Sequence, residues 1–416
     1  MTYGRRRRVG TGRTGPGAAL AVGLLVAALL APGWAVAQSF EVAAPAAILV
    51  EADTGQVLYE KNPDKETPPA SLAKIMTLLL VMEALDSGRV SLDEPVVTSE
   101  YAAGMGGSQV FLAPGETHTL AEMIEAVAVA SGNDAAVALA EHLFGTEAAF
   151  VEQMNLRAQE LGLSGTYFAD ATGLPVPQEK RPGMTTPRDV ASMTRALLAH
   201  PKVLEWTSVR QKVFRQQPRF VLYNTNTLLG SYPGLDGMKT GHTAEAGYHL
   251  AATAEQDGIR LVAVVMGTRS ESDRNQQITQ LLNYGFRAFE PAVAARQGEP
   301  VGEMRLVDGN PERFTVEAAA DLRVLVPRGH QGDLRRSLEL QANVKPPLKR
   351  GDTVGRVVAL IQDRPVAQMP VVAARDVERA GFFARVWRRV WGGVSGAIGG
   401  AFQWIWNGIR SLLGLA

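Results

Sequence analysis

The chain contains no cysteine among its 416 residues, and its 42 basic and 42 acidic residues cancel in formal charge. The lack of cysteine excludes disulfide bonds, thiolate nucleophiles and cysteine metal sites. The zero net charge gives no overall field that would attract nucleic acid. Histidine is scarce, at six residues, and their positions lack metal-ligand spacing. We therefore expect no metal, no other cofactor and no nucleic-acid partner.

The N-terminus has the pattern of an export signal. A basic segment, residues 5–13, precedes an apolar run over residues 18–30 and the small residues Ala35-Val-Ala37. This order is typical of a signal peptide over residues 1–37, with Gln38 as the first residue after cleavage. An uncleaved N-terminal anchor is the alternative, although the apolar run is shorter than the ~20 residues that a membrane span needs.

Three short motifs follow one another along the chain: Ser71-Leu-Ala-Lys74, Ser131-Gly-Asn133 and Lys239-Thr-Gly241. Each is weak alone, because a serine that caps a helix one turn before a lysine is common. Together they supply a nucleophile, a base, a second hydroxyl and a cation. This set predicts a serine acyl-transfer site.

The residues around Ser71 and Lys74 favour catalysis. Pro68-Pro69-Ala70 precedes the serine, and residues 75–82 are too apolar for an exposed helix, which predicts Ser71 at the start of a buried helix. The positive end of the helix dipole favours an anion that develops there. Poor solvation makes a lysine lose its proton more easily, so Lys74 can act as the general base for Ser71.

The other two motifs have matching roles. Ser131 can pass a proton from Lys74 toward the leaving amine, and Asn133 can hold a substrate amide through its donor and acceptor groups. Lys239 adds positive charge. Gly241 has no side chain, so a substrate backbone can approach the strand closely at this position.

The sequence around the motifs resembles a known family. Residues 70–77, 107–115, 130–136 and 234–243 are similar to the D-alanyl-D-alanine carboxypeptidases, the low-molecular-mass penicillin-binding proteins. Penicillin-binding proteins and β-lactamases contain the same three motifs in the same order. The resemblance implies an α/β (α+β) fold: a β-lactamase/transpeptidase-like domain with an antiparallel sheet and a helical lobe, then a small all-β domain and an amphipathic C-terminal helix.

The resemblance also implies roles for further residues. The backbone amides of Ser71 and His242 would form the oxyanion hole, which is commonly worth ~3 kcal/mol or more per donor. Thr240 would bind the terminal carboxylate of the substrate, assisted by the planar guanidinium of Arg274. The alternatives are an ordinary surface arginine for Arg274 and a Ser-His-Asp triad with Asp236 for His242.

The implied activity is that of a serine-type D-Ala-D-Ala carboxypeptidase, which removes the terminal D-alanine from peptidoglycan stem pentapeptides through an acyl-enzyme on Ser71. β-Lactams would inhibit the enzyme by acylating the same serine. Three alternatives remain: a D,D-endopeptidase that cuts crosslinks, a β-lactamase and a non-catalytic cell-wall binding protein. For the β-lactamase, Glu160-Leu-Gly-Leu-Ser164 is the nearest match to the required glutamate string, with a serine in place of its asparagine.

Local patterns place the three motifs in one domain over residues 38–290. A hairpin is predicted over residues 44–60, and strands over 247–254 and 260–266 would join it and the Lys239-Thr-Gly241 strand in one sheet. Helical periodicity marks further segments: residues 71–85, 120–130, 134–144, 147–161 and 186–199. The first helix would lie between the sheet and the helical lobe, with Ser71 in the crevice.

The chain beyond Pro291 has a different pattern. Short apolar runs such as residues 322–326 and 356–361, separated by glycine and proline clusters, predict a small β domain over residues 291–375. No catalytic constellation occurs in it, so we expect a spacer.

The pattern of the tail, residues 376–416, predicts an amphipathic helix from Phe382, with Arg385, Arg388 and Arg389 opposite its aromatic side. Arginine and tryptophan suit an anionic membrane surface. We expect peripheral attachment at the periplasmic side of the cytoplasmic membrane. A membrane span over residues 390–409 and a helix docked on the protein are the alternatives.

Overall fold

The computed structural model describes residues 1–2, 40–175 and 181–382. The chain divides into two units, Met1–Glu41 and Val42–Ala416, and the structure below is that of the described part of the second. The predicted signal peptide, apart from its first two residues, and the predicted tail from residue 383 onward lie outside the described residues.

The described residues contain strands in two main groups, one on each side of residue 288. The strands are β1 (Ala46–Glu51), β2 (Val57–Lys61), β3 (Pro95–Val97), β4 (Thr117–Thr119), β5 (Gln211–Gln216), β6 (Arg219–Tyr223), β7 (Leu235–Thr243), β8 (Gly247–Gln256), β9 (Ile259–Thr268), β10 (Phe289–Ala295), β11 (Pro300–Arg305), β12 (Gly309–Asn310), β13 (Arg313–Ala318), β14 (Leu322–Pro327), β15 (Leu334–Leu340), β16 (Thr353–Ile361), β17 (Arg364–Ala373) and β18 (Glu378–Arg379).

Within the described ranges, the α-helices lie before residue 289. They are α1 (Lys74–Asp86), α2 (Glu100–Ala103), α3 (Leu120–Ala130), α4 (Asn133–Phe144), α5 (Glu147–Glu160), α6 (Pro187–Leu198), α7 (Leu204–Thr207) and α8 (Glu271–Ala288). Short 3₁₀ turns cover Ala70–Ala73, Pro201–Val203 and Gln331–Asp333.

An antiparallel sheet of order β2-β1-β9-β8-β7 forms the centre of the first domain. Residues 46–50 of β1 are a continuous apolar run, and the whole strand is buried, the pattern of a strand covered on both faces. Helices α6 and α8 both contact β1 and β9. Within this sheet β7 pairs only with β8, so β7 is an edge strand.

Helix α1 fills the space between this sheet and the helical lobe. It contacts α3, α4, α5, α6 and β7, and its first nine residues, 74–82, are all buried. A helix that is apolar on every side must be surrounded by protein. This burial explains why the apolar run after Ser71 forms a central helix rather than a surface one.

The small C-terminal domain contains a second sheet, of order β11-β13-β17-β16-β15, and the pair β10-β14. It has its own apolar cluster, which includes Phe314, Val316, Val324 and Val371. The all-β character predicted for this part of the chain is confirmed.

The predicted hairpin, strands and helices of the first domain are confirmed, with ends that differ by a few residues. Ser71 lies in the 3₁₀ turn Ala70–Ala73 immediately before α1 rather than in the helix itself. The sequence patterns do not predict α8 or the hairpins β3–β4 and β5–β6. No helix in the described ranges is long and apolar enough to cross a membrane.

Candidate active site

A cleft of about 320 Å³ brings six of the nine predicted site residues together. It is lined by Ser71, Ser108, Ser131, Thr225, Thr227, Thr240, Gly241, His242, Tyr248, Glu271 and Arg274. The other three predicted residues, Lys74, Asn133 and Lys239, are buried beside it. The three sequence motifs therefore converge at one place in the fold.

The turn that carries Ser71 is held tightly against β7. A Cβ atom added at Gly241 would lie 3.2 Å from the carbonyl oxygen of Pro69 and 3.3 Å from the Cβ of Ala70. Ala70 itself has a φ of 47°, in the left-handed region. The strand and the nucleophile turn can approach this closely because Gly241 has no side chain.

Lys74 connects the first two motifs. Its Nζ donates hydrogen bonds to Ser71 Oγ at 3.0 Å, to Asn133 Oδ1 at 2.6 Å and to the carbonyl oxygen of Thr172 at 3.1 Å. The side chain is fully buried. Burial lowers the pKa of Lys74 from 10.5 to about 7, against the opposing charges of Asp170 and Asp134. A neutral amine can accept the proton of Ser71, so this geometry suits a general base.

Asn133 and the segment around Thr172 hold Lys74 in place. The amide nitrogen of Asn133 donates to the carbonyl oxygen of Gly106 at 2.6 Å, so both ends of its side chain are bonded within the protein. Asp170 Oδ1 accepts from the backbone amides of Thr172 at 2.7 Å and Gly173 at 2.6 Å. These bonds orient the Thr172 carbonyl toward the lysine.

Ser131 ends helix α3 in the left-handed conformation, with a φ of 62°. Its hydroxyl lines the cleft, yet the buried Oγ has no hydrogen-bond partner among the described residues. Buried hydroxyl groups are usually paired. The unpaired hydroxyl of Ser131 can therefore bond to a substrate or transfer a proton.

The β7 motif adds the buried amine of Lys239 and the hydroxyl group of Thr240. Lys239 Nζ donates to the carbonyl oxygen of Thr240 at 3.1 Å. Burial, with the charges of Lys74 and Arg274, holds the pKa of Lys239 well below its usual range. Thr240 Oγ1 donates to Thr225 Oγ1 at 2.6 Å.

Arg274 lies in the first turn of α8 and lines the cleft. Only 3% of it is exposed, so it is not an ordinary surface arginine. Its Nε and Nη2 donate to Asn275 Oδ1 at 3.1 and 3.0 Å. A guanidinium held at the cleft in this way is suited to a carboxylate.

His242 is exposed and packs on Tyr248 across the β7–β8 pair, with ring centroids 4.0 Å apart. Asp236 does not pair with His242. Its carboxylate accepts from Arg260 at 2.9 Å. The alternative of a Ser-His-Asp triad is therefore wrong.

Glu160 lies outside the cleft lining and pairs with Arg157 at 2.8 Å. The glutamate that a β-lactamase would need is thus not at the nucleophile. No group of acidic, histidine or cysteine side chains that could hold a metal ion occurs in the described ranges.

Several cleft residues are absent from the sequence prediction. They are Ser108, Thr225, Thr227, Tyr248 and Glu271, together with Thr172 beside Lys74. Thr225 and Thr227 belong to the segment between β6 and β7, which has no periodic pattern. Ser108 is the exception, because residues 107–115 belong to a stretch of family resemblance.

Comparisons with known proteins agree with this geometry. Residues 34–270 match the family model for D-alanyl-D-alanine carboxypeptidase, and residues 289–379 match that for the penicillin-binding protein 5 C-terminal domain. D-alanyl-D-alanine carboxypeptidase DacF of Bacillus subtilis is 38% identical over 82% of this chain and 87% of its own length.

Two solved structures are similar as well. Penicillin-binding protein 5 from Haemophilus influenzae has a TM-score of 0.72 and 32% identity over 82% of this chain and 99% of its own. Penicillin-binding protein D2 from Listeria monocytogenes, solved in an ampicillin-bound form, has a TM-score of 0.52 and 36% identity over 60% of this chain and 99% of its own.

Proposed function

The chain belongs to the D-alanyl-D-alanine carboxypeptidase family, and we propose that Ser71 is the nucleophile with which it removes the terminal D-alanine from peptidoglycan stem pentapeptides. It is a serine-type carboxypeptidase of the penicillin-binding protein type. The observation that carries the assignment of the site is the 3.0 Å hydrogen bond between Lys74 Nζ and Ser71 Oγ. The lysine has a pKa of about 7 and can take the serine proton.

The first step is acylation. Ser71 Oγ attacks the carbonyl carbon of the D-Ala-D-Ala bond while its proton passes to Lys74. The backbone amides of Ser71 and His242 hold the oxyanion. As the C–N bond breaks, the leaving amine takes a proton from Lys74 through the hydroxyl of Ser131, and free D-alanine departs.

Deacylation reverses the proton path. Water attacks the ester on Ser71, its proton passes to Lys74, and the serine oxygen recovers a proton as the C–O bond breaks. The Asn133 amide, although bonded to Lys74 and Gly106, has a further donor and lone pair for the substrate amide.

The terminal carboxylate of the substrate would lie at the end of the cleft formed by Thr240, Thr225 and Arg274. Lys239 lies buried behind this end, with its Nζ bonded to the carbonyl oxygen of Thr240. Support comes from the burial of Arg274 and from the hydrogen bond that orients Thr240 toward Thr225.

β-Lactams should acylate the same serine. The similar Listeria protein was solved with ampicillin bound, and the lactam carbonyl would occupy the position of the scissile bond. We expect a fluorescent penicillin to label the purified wild type and Ser87→Ala, which changes an exposed serine at the end of α1. The label should map to Ser71 and be absent from Ser71→Ala. Labelling of Ser71→Ala at the wild-type rate would reject this assignment.

D,D-endopeptidase activity on crosslinks is a second candidate. A groove of about 590 Å³ shares Thr227 with the catalytic cleft and is also lined by Arg210, Tyr223 and Asn224. It offers room for a leaving group larger than D-alanine. Parallel digestion of crosslinked and uncrosslinked muropeptides tests this, since a pure carboxypeptidase leaves the crosslinks intact.

We propose four parts for the chain: a signal peptide (1–37), the catalytic domain (38–290), a β-domain spacer (291–375) and a membrane-anchor tail (376–416). Enzymes of this family act on peptidoglycan, outside the cytoplasm. Support for attachment through the tail comes from the sequence of residues 382–391, whose helical periodicity would place arginine on one side and aromatic residues on the other.

Deletion of residues 383–416 should move the enzyme from the membrane to the soluble fraction without changing turnover of small peptides. Replacing Arg385, Arg388 and Arg389 by Glu should weaken binding to anionic vesicles, because each basic residue contributes ~1 kcal/mol near such a surface. A truncated enzyme that stays in the membrane fraction after signal cleavage contradicts the anchor.

A further inference from the structure

A ring of hydrogen bonds encloses Arg274 at the carboxylate end of the cleft. Thr227 Oγ1 donates to Glu271 Oε1 at 2.7 Å and accepts from Asn275 Nδ2 at 2.8 Å. Asn275 Oδ1 accepts from Nε and Nη2 of Arg274 at 3.1 and 3.0 Å. The circuit closes where Arg274 Nη2 lies 3.4 Å from Glu271 Oε1.

The ring is fixed to the protein on both sides. Three of its members lie at the start of α8, whereas Thr227 belongs to the segment between β6 and β7. The neighbouring Asn226 is buried and donates to the carbonyl oxygen of Gly237 in β7 at 3.1 Å. Thr227 is thereby held beside the strand that carries the third sequence motif, and the ring connects this strand to α8.

The two partners of Arg274 within the ring differ in charge. Asn275 is neutral, so it orients the guanidinium and leaves its positive charge uncompensated. Glu271 is exposed and places a negative charge beside the same guanidinium. Burial lowers the pKa of Arg274, and the charge of Glu271 opposes this shift. Glu271 therefore acts on Arg274 through its charge.

One nitrogen of the guanidinium remains for a ligand. Nη1 of Arg274 forms no hydrogen bond with any described residue. A substrate carboxylate that reaches this guanidinium gains a charge-assisted hydrogen bond. Glu271 lines the same cleft, and its carboxylate repels that of the substrate. The two partners in the ring thus have opposite effects on the binding of an anion.

We propose that Asn275 and Glu271 set, with opposite sign, the strength with which Arg274 binds the terminal carboxylate of the substrate. Asn275 is a positioning residue, because it acts through Arg274. Glu271 is a specificity-determining residue, because its charge weakens the preference for a carboxylate. The proposal rests on the proposed carboxypeptidase function and assigns two further residues to the carboxylate end of its cleft.

A moderate hold on the carboxylate suits turnover. The released D-alanine ends in the same carboxylate as the substrate, so a cleft without the charge of Glu271 would retain this product longer. Contacts that are equal in the ground state and the transition state lower KM without raising kcat. Changes at Asn275 and Glu271 should therefore affect KM rather than the chemical step.

Release of the terminal residue from two matched pentapeptides tests the ring. One peptide ends in a carboxylate and the other in a carboxamide. We expect wild type to favour the carboxylate peptide about thirtyfold in kcat/KM, as for a charged hydrogen bond. Asn275→Ala should lower this ratio about tenfold, through a higher KM for the carboxylate peptide. Glu271→Gln keeps an acceptor for Thr227 and removes the charge, so it should raise the ratio about threefold.

Gln276→Ala is the matched control. Gln276 is the next residue of α8 and is exposed, and its side chain forms no hydrogen bond with any described residue. Its ratio should equal that of wild type. A change that only disturbed the fold would lower the rates on both peptides and could not raise the ratio. Because Glu271 is exposed, Glu271→Gln tests the proposal even if Asn275→Ala fails to fold.

The outcomes separate this proposal from the one on which it rests. A wild type that releases the terminal residue from neither peptide contradicts the carboxypeptidase function, and one without a preference contradicts the carboxylate role of Arg274. If wild type does prefer the carboxylate peptide, an unchanged or lower ratio in Glu271→Gln contradicts the role of its charge. An unchanged ratio in Asn275→Ala contradicts the positioning role of Asn275.

Discussion

Lys74 has three hydrogen-bond partners, and all three are neutral groups: a hydroxyl, a side-chain amide and a backbone carbonyl. A lysine paired directly with a carboxylate would stay charged, because the opposite charge offsets the cost of burial. Here Asp170 and Asp134 oppose the desolvation only through their charges, and the pKa falls to about 7. The base is thus half deprotonated near neutral pH.

The rate of acylation should therefore depend on pH. Because neutral Lys74 is the reactive form, the second-order rate constant for acylation by a penicillin should rise about tenfold per pH unit below pH 7 and level off above it. Asp170→Asn removes a charge that raises the pKa of Lys74, so the midpoint should move to lower pH. Stopped-flow labelling between pH 5 and 9 measures both curves. A flat profile, or a midpoint that moves upward in Asp170→Asn, would contradict the role of Lys74.

His249 is a buried titratable residue that supports the fold near the nucleophile, whereas Lys74 is the proposed base. It is fully buried and lies with Nε2 3.1 Å from the carbonyl oxygen of Pro68, while Nδ1 accepts from the Gly267 amide at 2.9 Å. The accepting Nδ1 requires the neutral ring. Burial lowers the pKa of His249 to about 4, although the Pro68 carbonyl opposes this shift.

Acid should consequently destabilise the fold through His249. As pH falls below ~6.5 the unfolded chain gains a proton on this residue, whereas the folded protein does so only near pH 4. Stability is lost across this window, by ~3 kcal/mol in total. Urea unfolding at pH 7 and 4.5 should show a smaller difference for His249→Gln than for wild type. The control His330→Gln, at an exposed histidine, should retain the wild-type difference. Equal pH dependence in all three proteins would refute the assignment.

Local signals predict an element well when its own residues determine its ends. Helix α3 has the predicted bounds because Thr119 and Glu122 form a capping box at its start. The strands of the hairpin β5–β6 are mostly exposed or half-buried, with one buried residue each, and their apolar residues are consecutive rather than alternating, so no strand periodicity marks the hairpin. It is held by distant contacts, such as that of Arg215 Nη2 with the carbonyl oxygen of Val110 at 2.6 Å.

The same distinction applies to the site. Residues within the three motifs could be assigned from sequence because their chemistry is carried by short spacings. Thr225 reaches the cleft only through the path of the chain between β6 and β7, and Thr172 contributes a backbone carbonyl. Every residue has a backbone carbonyl, so the residue type does not indicate which carbonyl contacts Lys74. Only the structure identifies this contact.

The turn at Gly173 offers a test at the level of a single element. Gly173 has a φ of 81°, and a Cβ atom placed there would lie 1.7 Å from the carbonyl oxygen of Ala70, next to the nucleophile. Gly258, in the β8–β9 turn, has a φ of 74° and no atom within 4 Å of an added Cβ. Both Gly→Ala variants incur the left-handed penalty of ~1–2 kcal/mol. Only Gly173→Ala adds a backbone clash.

We expect Gly173→Ala to lose ~3 kcal/mol more stability than Gly258→Ala, or to fail to fold. If it folds, its acylation rate should fall, because the clash is relieved by displacing Ala70 and Ser71. Urea unfolding and penicillin labelling of the two variants provide the measurements. Similar stability and similar labelling would show that the loop does not brace the nucleophile turn.

At the scale of the whole molecule, the small β domain is joined to the catalytic domain without a flexible linker. Helix α8 ends at Ala288 and β10 begins at Phe289. Arg328 Nε donates to the carbonyl oxygen of Arg287 at 2.7 Å and closes this junction. Such a direct connection fits the spacer role that we propose for the small domain.

A second junction is made by one side chain. Gln56, just before β2, donates from Nε2 to the carbonyl oxygen of Leu325 at 2.6 Å and accepts at Oε1 from the Leu325 amide at 2.7 Å. Only 3% of Gln56 is exposed. The pattern of the sequence presents Gln56 as an ordinary residue of the hairpin, because its partner lies 269 positions away.

Gln56→Ala should uncouple the small domain. It leaves the buried amide and carbonyl of Leu325 unpaired, at a cost of ~1–3 kcal/mol for each group. We expect a calorimetric transition for the β domain that separates from the main transition and moves to lower temperature.

Gln56→Glu, which keeps the length of the side chain but cannot donate to the carbonyl, should act in the same direction. The exposed Gln341→Ala should melt like wild type. Acylation of Ser71 should stay within twofold in all three variants, because Gln56 does not line the cleft. A single unshifted transition in Gln56→Ala would mean that the α8–β10 junction alone holds the two domains together.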